Sequence, residues 1–174
     1  MRNLLLLALL ICACCLPAFG QGTDELDISA TLTRGEHSRD SSSRTTKITL
    51  RQDRIAYEQA YHGMAAGRHK PVHKEFKLSG EDKRRLIELI KERHLLLTGI
   101  IEYPAADSGV RRYFEISIRL ILNQEKGAID IEGPTNAVKI KDERLYKASA
   151  ALIEELYRII NRADKDVAYE ELID

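Results

Sequence analysis

Three histidines, His62, His69 and His73, fall in one short stretch of the chain. His69 and His73 are four apart, the spacing that sets two imidazoles on one face of a helix and can hold zinc. Pro71 stands between them and excludes a helix there. On an extended segment both rings point to one side, yet no nearby carboxylate or cysteine pattern completes a ligand set. Solvated loop histidines are therefore the favoured reading. The competing one is a metal-dependent or acid–base hydrolase that uses His69, His73 and Asp107.

The same stretch carries Arg68, Lys70, Lys74 and Lys77 against Glu75 alone. Such a run either faces an anion (a phosphate, an acidic glycan, an acidic partner) or is a charged edge that discourages strand-to-strand aggregation. Tyr57 and Tyr61 share a strand face with Ile55, and tyrosines are enriched where proteins meet. The expected contact set is thus Tyr57, Tyr61, Arg68, His69, Lys70 and His73, and the expected partner is an unidentified protein. The chain lacks Gly-x-Ser-x-Gly, a glycine-rich phosphate loop and His-Glu-x-x-His, so neither an enzyme nor a cofactor is expected.

All three cysteines, Cys12, Cys14 and Cys15, lie near the start. Arg2 is followed by an apolar run from Leu4 to Leu16, then by Pro17-Ala18-Phe19-Gly20 before Gln21. That is the plan of a signal peptide cleaved between Gly20 and Gln21. The run is shorter than the roughly 20 residues of a membrane span, so no permanent transmembrane helix is expected. A second route stays open, because Ile11-Cys12-Ala13-Cys14 resembles a bacterial lipobox that would leave a lipidated Cys14. The protein is then secreted or periplasmic by the first route and lipid-anchored in the cell envelope, the one case of membrane contact, by the second.

Lys+Arg and Asp+Glu balance at 27 each, which argues against a nucleic-acid partner. Residues 21–163 are enough for one domain with a real core. Residues 34–44 are serine-rich and polar and are expected to form a flexible loop. Residues 164–174 are expected to form an acidic, frayed tail.

Alternation at Leu26, Ile28, Ala30 and Leu32 predicts a strand. Thr46, Ile48 and Leu50, then Ile55 and Tyr57, predict a hairpin across Gln52-Asp53. Val72, Lys74, Phe76 and Leu78 share one face of a short strand, with Lys74 turned outward at its edge. Ser79 is placed to cap a helix whose first turn holds Glu81 and Asp82. Phe114 to Leu122 alternates most clearly of all and turns at residues 123–127 into Ile129 and Ile131. A last helix, from about Asp142, carries Leu145, Ser149, Leu152, Ile153, Leu156, Ile159 and Ile160 on one face. The order predicts an α+β fold: an antiparallel sheet of about five to six strands built from hairpins, with two amphipathic helices packed on one face.

The stretches "FKLSGEDKRRLIELIKERHLL", "YFEISIRLILNQEKGAIDIEGP" and "ASAALIEELYRII" together resemble small bacterial domains of the emfourin type, which inhibit thermolysin-like proteases. They are also similar to small exported bacterial domains of unknown function, as is "KITLRQDRIAYEQAYHG". The resemblance covers about Leu26 to Ile160 and rests on element order and apolar spacing. It implies a non-enzymatic protein-binding module, protease-inhibitor-like in one form; an envelope accessory factor anchored at Cys14 is the alternative that the lipobox match leaves open.

Overall fold

The computed structural model describes residues 24–36, 41–102, 112–134 and 143–167. Both processing sites, at Cys14 and at Gly20-Gln21, lie outside them, as does Asp107. Period-two patterning produces the long strands β1 (Leu26–Glu36), β2 (Ser42–Arg51), β3 (Arg54–Gly63), β6 (Arg112–Leu122) and β7 (Glu125–Pro134). Two short strands, β4 (Val72–Lys77) and β5 (Thr98–Glu102), form the edges. The sheet has seven strands in the order β4-β3-β2-β1-β6-β7-β5, one or two more than expected. Every pairing is antiparallel except β5 with β7, which is parallel. Strand β5 escaped the sequence reading because Gly99-Ile100-Ile101 shows no alternation.

The helices α1 (Gly80–Glu92) and α2 (Arg144–Ala163) supply the second layer, and the fold is mixed α+β. Ile28, Ile48, Ile55, Ile118 and Ile129 are all but fully buried on the sheet face that meets Leu86, Ile90, Leu152 and Leu156 of the helices. The other sheet face carries Ser, Thr and charged residues and has no covering layer among the described residues. No helix among them is long and apolar enough to cross a membrane.

Two tight hairpins fix the register. Gln52 and Asp53 have φ of 48° and 60°, and Asn123 and Gln124 have 49° and 75°. Positive φ at both central residues matches the right-handed twist of the strands they join. The second turn is therefore two residues long, and Gly127 belongs to β7, not to the turn as expected. Its role is close approach: a Cβ there would run into the Leu95 carbonyl, where the chain leaving α1 crosses β7 toward β5.

Helix α1 starts as the sequence implies. The Ser79 hydroxyl accepts from the Asp82 amide at 3.1 Å and donates to its carboxylate at 2.6 Å. It ends in a Schellman motif, with His94 at φ 54° and the Leu95 amide bonded to the Ile90 carbonyl at 3.0 Å. Asp82 is buried, and Arg158 and Arg162 of α2 both pair with it. Arg158 also grips Glu155, and Arg85 of α1 reaches the same carboxylate at 3.1 Å. The helices are thus joined by charge as well as by apolar packing.

Three expectations need correction. Residues 34–36 and 42–44 are strand, with Arg34 opposite Arg44 and Gly35 opposite Ser43, so both ends of the polar stretch are paired backbone, and residues 37–40 lie outside the described residues. Arg34, Gly35, Glu36, Ser42, Ser43 and Arg44 offer no apolar face, and ladder hydrogen bonds order them without needing one. Lys74 is not turned outward: it lies on the helix side of β4 and forms an ion pair with Asp164. The tail is not frayed from residue 164, because Val167 is buried in the core.

Candidate functional site

The residues expected to meet a partner separate into three groups. Tyr57 is buried, 3% exposed, beneath α2, so a direct contact is closed to it. Alternation placed it correctly with Ile55, but that face is the core face. His73 lies on the opposite, open face of β4, 3.4 Å from Glu58 and 3.7 Å from Glu75. The remaining four, Tyr61, Arg68, His69 and Lys70, gather at one end of the sheet.

Gly63 starts that assembly. Its φ of 64° ends β3, and the Ala66 and Arg68 amides bond back to the Gly63 and Ala65 carbonyls, each at 3.1 Å. The chain folds over, and the His69 ring stacks on Tyr61 with centroids 4.5 Å apart and planes 21° from parallel. The Tyr61 hydroxyl donates to Gln59 Oε1 at 2.9 Å, which fixes the lower ring of the stack. Arg68 and Lys70 flank His69 on the exposed loop. His69 and His73 therefore face different sides of the sheet, because the first is held by the stack and the second by the β4 ladder. The described residues contain no group of three His, Cys, Asp or Glu placed to hold a metal.

Beside the stack is a cleft of about 300 Å³. Its walls include Tyr61, His69 and Tyr113, and its charged lining is Arg34, Arg44, Arg112 and Glu36. The β-register brings these together from remote parts of the chain: Tyr61 pairs with Arg44, Arg44 with Arg34, and Arg112 with Glu36. Tyr113 lies across Gly35, where a Cβ would fall 2.6 Å from ring atoms, so the missing side chain makes room for the wall. Arg112 Nε donates to Glu36 Oε1 at 2.9 Å at the rim.

A polar chain links the cleft to the core. Gln59 Nε2 reaches Thr46 Oγ1 at 3.5 Å, and the buried Thr46 hydroxyl bonds to Tyr57 and Tyr157. Burial pushes the Tyr157 hydroxyl up to about 12, with the Tyr57 hydroxyl adding to it, and burial also raises Tyr57. The nearby Arg44 charge opposes both shifts, so its guanidinium is felt beneath the cleft as well as in it.

A second cleft, of about 240 Å³, lies on the open face and was not foreseen. Glu115, Glu132 and Glu102 stand side by side across β6, β7 and β5 at its edge. Asp130 beside them is held below the usual carboxylate range by Arg119, which donates to both of its oxygens at 2.9 Å. Strand alternation alone could have placed Glu115 and Glu132 outward; Glu102, on the non-alternating β5, and the adjacency of all three needed the strand order.

No protein-family model and no curated protein matches the chain.

Proposed function

We propose that the protein is an exported, non-enzymatic binding module that contacts a protein partner through the Tyr61–His69 end of its sheet. One observation carries this reading. The stack of His69 on Tyr61 puts a rigid aromatic pair, two exposed cations and an arginine-lined cleft on one surface. Tyrosine and arginine are among the residue types that dominate binding hot spots: tyrosine buries a large rigid ring at small entropic cost, and arginine presents a planar fork of donors. The leader supports export, and the likeness to emfourin-type inhibitors makes a secreted metalloprotease the first partner class to try.

The test is capture from periplasmic and culture-supernatant fractions with immobilised protein. Wild type is expected to retain a partner at least about tenfold better than Tyr61→Ala/His69→Ala, as hot-spot truncations do. The melting temperature of the double variant is expected to stay within a few degrees, since both side chains lie outside the core. Equal retention by the two proteins, or no partner at all, would sink the proposal.

A further inference from the structure

We infer that the outer edge of β5 takes an extended, basic segment of a protein partner as an added strand of the sheet. Strands β2, β1, β6 and β7 separate this edge from the stack on β3, so it does not rest on the binding reading above. Strand β5 pairs with β7 on one side and with no other strand among the described residues. The Ala128 amide donates to the Leu97 carbonyl at 2.8 Å, which sets the phase of the parallel ladder. Leu97, Gly99 and Ile101 therefore turn their backbone groups to β7. Thr98, Ile100 and Glu102 turn theirs outward, and all three are exposed. Such a row is a ready template for strand addition.

The two edges of the sheet are built differently. Strand β4 carries His73, Lys74, Glu75 and Lys77 among its six residues, the kind of charged edge that deters an added strand. Strand β5 carries Gly99, Ile100 and Ile101, with Glu102 as its one charge. Ile100 is 64% exposed, and Leu97, just before the strand, is 39% exposed. On the helix side α2 closes over β5, where a Cβ at Gly99 would fall 2.6 Å from Leu145. The edge and the open face beside it stay accessible.

That face selects the chemistry of the guest. Ile100 and Glu102 form the β5 wall of the cleft of about 240 Å³. Glu102, Glu132 and Glu115 lie in one cross-strand row, and their carboxylates hold no hydrogen bond or ion pair among the described residues. Asp130, in the next row, is already taken by Arg119. A residue of an added strand beside Glu102 would stand roughly 5 Å from it and roughly 10 Å from Glu132. A lysine or arginine stem bridges that interval, so one basic side chain can serve both carboxylates. Two positions along, the next side chain on this face packs on Ile100. The fitting segment is thus extended, with an apolar residue two positions from a lysine or arginine.

The probe is a fluorescein-labelled peptide containing Lys-Thr-Val-Thr-Lys, which sets valine beside Ile100 and lysine beside Glu102 in either strand direction. Fluorescence anisotropy compares it with a Glu-Thr-Val-Thr-Glu peptide and with a copy N-methylated at the three central residues, which keeps the charge but loses the ladder donors. The lysine peptide is expected to bind at least about tenfold more tightly than either. Glu102→Gln/Glu132→Gln should weaken it about fivefold at low salt, and the difference should fade as salt rises. Ile100→Lys, which sets a guarding charge on an exposed position, should weaken it at least about tenfold with an unchanged melting temperature. Tyr61→Ala/His69→Ala should bind it as wild type does. Equal binding of the N-methylated copy or of the glutamate peptide, or no binding at all, would overturn the inference. So would loss of the peptide in Tyr61→Ala/His69→Ala, which would place it at the stack. Sedimentation of the free protein as a dimer that Ile100→Lys turns into a monomer would assign the edge to a second copy and overturn it too.

Discussion

Tyr57 on β3 lies edge-on to Tyr157 on α2, with ring centroids 6.2 Å apart and planes at 70°. Both hydroxyls are buried together with Thr46, so the pair resists ionisation. For a group whose folded value is raised, from the ordinary 10.0 to about 12 for Tyr157, the stabilising effect is complete below 10.0. It is lost as pH rises through about 12. Alkaline denaturation should therefore begin above pH 10, coincident with a late tyrosinate absorbance step. Tyr157→Phe should cost about 1 kcal/mol at neutral pH through its lost hydrogen bonds and should flatten the alkaline fall. An unchanged alkaline profile would contradict this role.

Asp82 has the opposite sign. Burial raises its carboxyl, but the Ser79 hydroxyl and the Arg162 and Arg158 guanidiniums outweigh that and hold it below the usual range. Its contribution is present above the ordinary value and lost as pH falls through the lowered one. Asp164, lowered chiefly by Lys74, behaves alike. Asp82→Asn should lower stability at pH 7 by about 2 kcal/mol, or roughly 4–8 °C in melting temperature, and the loss should shrink in acid. Thermal melts of both proteins across the acid range test it.

Gly127→Ala should destabilise by about 2–3 kcal/mol, because the added methyl meets the Leu95 backbone and not a movable side chain. Denaturant titration measures it. A near-neutral result would mean that the crossing from α1 to β5 is looser than its geometry.

Glu132→Gln should raise stability by about 0.5 kcal/mol. Glu132 has Glu115 on one side and Glu102 on the other, and like charges directly opposite repel. High salt should erase the gain by screening the row in the wild type. A loss of stability would show that the glutamates serve a compensating contact.

Much of the fold was legible residue by residue. Ile28, Ile48, Ile118 and Ile129 announced their face by alternation, Ser79 announced a cap, and Gln52-Asp53 announced a hairpin. The site was legible only in part. Tyr61, Arg68, His69 and Lys70 were visible as residue types with a binding chemistry, whereas Arg34, Arg44, Arg112 and Tyr113 were not. Arg34 and Arg44 read as part of a polar loop, and nothing local marks Arg112 and Tyr113, until β1 is set between β2 and β6.

The sequence by itself determined the local periods, the caps and the turns, because these depend on residues a few positions apart. The tertiary structure decided which strands are neighbours, and so which side chains share a face and a site. It buried Tyr57 under α2, parted His69 from His73, and brought Arg162 to Asp82. The physical reason is distance along the chain: alternation says that a side chain points in or out, but pairing between remote segments follows from how all the apolar faces close on one core.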